Sequence, residues 1–119
     1  MLSGEVMNEL EKILSTIAPT GKWKVPTQTP PLFVLDTVSG GTVDTDLAAA
    51  DQYVTVQVTA TGKTAEQAQW LIDKALKEIL ASRLKTGWQV VIETWNIPVD
   101  PQIEGFYSFI GQVRIRGEV

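Results

Sequence analysis

Residues 50–80 read ADQYVTVQVTATGKTAEQAQWLIDKALKEIL, and two periodicities in this stretch decide the fold. Over 52–60, Val54, Val56, Val58 and Ala60 alternate with Tyr53, Thr55, Gln57 and Thr59. A period of two in a run rich in β-branched residues predicts a strand with one packed face and one wetter face. Thr61-Gly62-Lys63 makes a turn, and Thr64 followed three residues later by Gln67 has the pattern of a capped helix start. From 65 to 82 the period becomes helical, with Ala68, Leu71, Ile72, Ala75, Leu76 and Ile79 on one face.

Working outward, Leu2, Val6, Leu10, Ile13, Leu14 and Ile17 recur every three or four residues and predict an amphipathic helix over 1–17. Ser3 is its candidate N-cap, and Pro19 with Gly21 ends it. Residues 19–31 hold four prolines and read as an extended connector rather than regular structure. Leu32 to Leu35 (LFVL) reads as a short buried strand. Residues 36–51 (DTVSGGTVDTDLAAAD) read as a long acidic loop, with a weak hairpin around Gly40 and Gly41 as the alternative.

Downstream of the second helix, Lys85-Thr86-Gly87 closes it and 88–95 form a strand. Residues 96–105 make a loop, and 106–116 form the last strand, with Tyr107, Phe109, Val113 and Ile115 toward the core. The expected fold is α+β, a mostly antiparallel sheet with two helices packed on one face. It fills a single domain, 1–119: helix 1–17, connector 19–31, and sheet with second helix over 32–119. Val54, Val56, Val58, Leu71, Ile72, Leu76, Ile79, Phe109, Val113 and Ile115 should share one core.

Composition bounds the function. Of 119 residues, 44% are hydrophobic and 20% charged, which suits a packed soluble domain, and the net charge of −4 disfavours binding to phosphate backbones. Cysteine and histidine are absent, which removes thiolate chemistry, disulfides, and the commonest general base and zinc ligand. An enzyme is therefore not expected, and no cofactor is implied. Glu5, Glu9 and Glu11 interrupt the apolar residues at the start, so no leader is read there, and no stretch reaches the ~20 apolar residues of a membrane span.

Three patterns resemble chemical motifs and fall short of them. Gly62-Lys63-Thr64 sits between a strand and a helix, but a phosphate-binding loop needs a glycine where Gln57 stands. Asp44-Thr45-Asp46, with Asp36 and Asp51 nearby, offers fewer oxygens than a hard cation takes, so it reads as a solvated loop with no metal. Lys22-Trp23-Lys24 resembles a base-stacking platform, against which the acidic balance of the chain argues.

The informative residue is Trp70. Rotation by 100° per residue places it opposite the core stripe of its helix, beside Glu66, Asp73, Lys74 and Lys77. A large aromatic on a charged face marks a contact with another chain, unless a loop of its own chain covers it. The second anomaly is the wetter face of the sheet, where Tyr53, Thr55, Gln57 and Thr59 line up with Gln89, Val91, Glu93 and Trp95, and with Phe106, Ile110 and Gln112. Such a mixture suits oligomerisation or docking, or cover by the connector around Trp23. Trp70, Lys74, Tyr53, Gln57 and Trp95 are thus the candidate subunit or partner contacts.

On these residues the chain resembles the tail terminator proteins of long-tailed, siphovirus-type bacteriophages. The resemblance is carried by the valine-rich strand, the turn with a glycine and a basic residue, and the helix with Thr64, Gln67, Ala68, Trp70, Leu71 and Asp73. The closing strand FYSFIGQVRIRGEV is similar as well. The resemblance implies a structural virion protein of the tail, assembled in the host cytoplasm. It implies a homo-oligomeric ring, expected to be a hexamer, that caps the tail tube, stops its polymerisation and supports head–tail joining.

Its implied partners are copies of itself, the tail tube protein and a head-completion protein, with no membrane. DNA would pass through the lumen without specific binding, past a negative wall to which Asp44, Asp46, Asp51, Asp100 and Glu104 are the candidate contributors. Another head–tail connector or stopper subunit is the nearest alternative, and a small-molecule-binding regulatory domain is the alternative from a different class.

Overall fold

The computed structural model describes residues 2–43, 51–82, 88–101 and 103–118. Its elements are α1 (Leu2–Ser15), β1 (Thr20–Lys22), β2 (Leu32–Val43), β3 (Asp51–Gly62), α2 (Ala65–Ala81), β4 (Gln89–Val99) and β5 (Tyr107–Glu118). The strands form one sheet in the order β1-β2-β3-β5-β4, antiparallel except for the β1–β2 pair. The α+β architecture is therefore the one expected from the periodicities.

Both helices lie on the same face. Val6, Met7, Leu10 and Leu14 of α1 join Leu71, Ile72, Ala75, Leu76 and Ile79 of α2 in one buried cluster with Phe33, Leu35, Val54, Val56, Val58, Val113 and Ile115 from the sheet. In the register β3 places Val58 beside Gly111 of β5, and a Cβ at Gly111 would sit 2.7 Å from Leu76 Cδ1. That glycine lets α2 settle onto the sheet. Thr64 caps α2 by accepting from Gln67 N at 3.0 Å, while the Gln67 side chain accepts from Lys63 N at 2.7 Å. Two of the amide donors at the helix start are thereby satisfied.

Several expectations change. Ser3 falls inside α1 rather than capping it, and the helix ends at Ser15, with a turn at Thr16 and Ile17. The connector contains a strand: main-chain bonds from Phe33 N to Pro19 O and from Trp23 N to Leu35 O, both 2.9 Å, hold β1 against β2. Residues 36–43 of the supposed loop are strand and pair with 51–57 of β3 around a bulge at Val38, and Asp51 at its end already belongs to β3. Gly40 and Gly41 are opposite Val54 and Tyr53 in that ladder, so they do not form the turn. Cross-strand pairing has overridden the local preference of a glycine pair for a turn. Residues 44–50 and the helix-closing 85–87 lie outside the described residues.

The end of the chain shows the same kind of correction. Residues 96–99 belong to β4 rather than to a loop. Phe109 packs against the core as a partly buried side chain. Tyr107, expected inside, is 51% exposed because β5 there runs past α2 opposite Gly62, at the start of the helix turn.

Candidate interaction surfaces

The first surface lies between α2 and the edge strand β4. Trp70 is 58% exposed on α2, whose buried stripe is complete without it. One turn along, Asp73 accepts a hydrogen bond from Trp95 Nε1. Trp95 was expected on the face away from the helices, with Gln89, Val91 and Glu93. The register of β4 slips between Ile92 and Thr94, and again between Thr94 and Ile97. The extra residue at the first slip reverses the alternation and brings Trp95 round to the helix side. Asn96, at φ 61, sits in the left-handed region, which asparagine tolerates better than most residues. Two exposed tryptophans thus flank one carboxylate. Lys74 faces outward beside them and pairs with Glu78 at 3.0 Å, an exposed i,i+4 pair of small energetic weight.

The second surface is the sheet face away from the helices. It is more covered than its composition suggested. Thr55, Thr59 and Thr61 are buried, and so are Leu32 and Val34, whose pairing partners place them on this same side. Part of the cover is the connector: Gly21 pairs with Val34, and a Cβ added to Gly21 would collide with the Lys24 carbonyl and press on Pro26. The chain leaving β1 therefore folds back over this face at the β1–β2 side. Trp23, at the bend, has φ 69 and is 61% exposed, so it does not serve as the lid itself.

Toward β4 the same face is polar and interconnected. Thr55 Oγ1 donates to Glu93 Oε1 at 3.2 Å, Arg114 Nε reaches the same carboxylate at 3.2 Å, and the Arg114 guanidinium stacks 4.8 Å from the Tyr53 ring centre. Gln112 Nε2 donates to Gln57 Oε1 at 3.2 Å. Tyr53, Gln89, Val91, Arg114 and Arg116 line an open cavity of about 390 Å³. The two arginines were not singled out in the sequence, although their spacing by two beyond Gln112 places all three on one face.

The acidic candidates that the structure describes do not come together. Asp51 begins β3 at the end of the sheet where Glu118 pairs with it, whereas Asp100 and Glu104 are exposed in the β4–β5 connection at the opposite end. Asp44 and Asp46 lie outside the described residues. Asp36, half-buried on β2, has its carboxyl pushed above the ordinary 3.8 by desolvation. Among the described residues no group of three or more acids gathers as a metal site, and no helix is long and apolar enough to cross a membrane. No protein-family model matches the chain. No match is found among the curated proteins either.

Proposed function

We propose that this chain is the subunit of a ring that caps the tail tube of a long-tailed bacteriophage, ends tube polymerisation and presents a surface for head joining. The observation that carries the reading is the pair of exposed tryptophans, Trp70 and Trp95, set about Asp73 on a helix whose core stripe is already filled. Aromatic side chains held in place on an otherwise charged surface are the usual anchors of a protein contact. The mostly antiparallel sheet with both helices on one face agrees with the fold that the resemblance implies. The net charge of −4 suits a lumen through which DNA passes without binding. Copies of itself, the tail tube protein and a head-completion protein are the proposed partners, and the virion tail is the proposed location.

Trp70→Ala tests the reading. Alanine is the better helix former, so the thermal midpoint of the subunit should move little. Removing an interface anchor typically costs on the order of 2 kcal/mol or more, repeated at each copy. Native mass spectrometry should show assembly lost at concentrations where the unaltered chain assembles. A large fall in the midpoint with normal assembly would place Trp70 in the packing of its own subunit and remove the carrying observation.

A further inference from the structure

The two outer edges of the sheet are each closed along one half and open along the other. On β2, β1 covers Phe33 to Leu35, and among the described residues no strand pairs with the outer edge beyond Leu35. On β4, the half from Thr94 to Val99 is broken by two register slips and carries Pro98, while Gln89 to Ile92 run without interruption. Bulges, proline and a covering strand are the devices by which proteins keep sheet edges from pairing with other chains. The open halves use hardly any of them. Past the charged Asp36, residues 37–43 (TVSGGTV) and 88–92 (WQVVI) contain no charge and no proline, and the one irregularity is a bulge at Val38.

The open halves also stand at the same height. Reading across the sheet, Gly41, Tyr53, Arg116 and Gln89 form one row; Gly40, Val54, Ile115 and Val90 the next; and Ser39, Thr55, Arg114 and Val91 the next. β2 runs parallel to β5 and antiparallel to β4, so a second copy placed beside the first continues the sheet with antiparallel pairing and no shift in level. Each open half-edge is flanked by a cavity. About 370 Å³ lined by Met7, Asn8, Lys22, Trp23 and Thr37 lies beside β2, and the space lined by Tyr53, Gln89 and Val91 lies beside β4. Exposed Trp23 and Val91 stand at their rims, with room for side chains from an incoming strand.

From this juxtaposition we infer that copies of the chain join head to tail, the Gln89–Ile92 half of β4 in one copy pairing with the Ser39–Val43 half of β2 in the next. A heterologous contact of this kind closes into a ring when the rotation between copies allows it and runs on as an open filament when it does not. The inference rests on the ring reading above and names the seam within it.

Because the chain has no cysteine, the seam can be read by disulfide trapping. Ser39→Cys is combined with Val91→Cys, or with Gln89→Cys to cover one step of register. Within one copy Ser39 and Val91 are three strand spacings apart, about 14 Å, too far for a disulfide whose Cα atoms lie within about 7 Å. Mild oxidation of the assembled double variant should give covalent oligomers on non-reducing electrophoresis. Mixing the two single variants should give covalent dimers only.

Cross-linking by Val91→Cys alone would mean β4 pairs with β4 and would overturn the inference. Rings that form normally, seen by native mass spectrometry, but trap in neither register would overturn the seam while leaving the ring. Trapped open fibres without rings would keep the seam and sink the cap. A chain that stays monomeric at every concentration tested would sink both.

Discussion

Along β3, the side chains turned toward the helices are Val54, Val56, Val58 and Ala60, all buried, while those turned away are Tyr53, Thr55, Gln57, Thr59 and Thr61. The first row meets Leu71, Ile72 and Leu76 in a continuous apolar cluster. The second row meets hydroxyls, amides and an arginine, and Thr61 Oγ1 and Ser108 Oγ lie 2.8 Å apart within it. Burial on the two faces therefore has different content. One face excludes water by packing aliphatic carbon. The other buries Leu32 and Val34 beside short polar groups, under longer neighbours and a folded-back connector, and its hydrogen bonds each contribute only about 1 kcal/mol net. The larger share of the apolar packing is thus on the helix side of the sheet.

The contrast can be broken most sharply from the helix side. Leu76→Ala removes a fully buried side chain at the centre of the cluster and should cost about 2–5 kcal/mol, read by denaturant unfolding. Gly21→Ala acts on the opposite face, where its new methyl meets the backbone carbonyl of Lys24. We expect a loss of about 1–3 kcal/mol, with faster hydrogen exchange in the connector, because the connector must lift to admit the methyl. Unchanged stability would show that the connector does not press on β1.

A smaller effect, of opposite sign, is expected at Thr59. Its hydroxyl is buried without a hydrogen-bond partner, so Thr59→Val should leave stability level or raise it by up to about 1 kcal/mol. A clear loss would mean that the hydroxyl is satisfied. The smallest effect concerns Asp36. Burial raises its carboxyl above 3.8, so the folded chain holds more protons than the unfolded one between 3.8 and the raised value, and stability falls as pH climbs through that interval. Asp36→Asn should remove that fall, giving a slight gain near neutral pH and none at pH well below the ordinary carboxylate value. Thermal melts across the acidic range would show it.

Much of the helix-side arrangement is legible in the sequence because packing there follows a strict period. The stripe from Ala68 to Ile79 and the valines of β3 repeat without exception, and both are buried as the spacing implies. The exposure of Trp70 follows from the same rotation. What the sequence hides is set by chain pairing. The extension of β2 through Gly40 and Gly41 depends on partners in β3, and β1 is a three-residue strand held by main-chain bonds that no side chain announces. The placement of Trp95 was missed because counting by twos along β4 assumes an unbroken ladder, and the register slips break it. The arginines beside Tyr53 matter only once β3 and β5 are paired, which the alternation within either strand does not reveal.

The capping role proposed above is tested most directly by the length of tails made when a phage carrying the gene for this chain is deprived of the protein. Electron micrographs of lysates should show tubes of irregular and excessive length that are not joined to heads, with normal length restored by supplying the unaltered protein. Tails of normal, uniform length accumulating beside filled heads would contradict a terminator and point to a stopper or connector subunit instead.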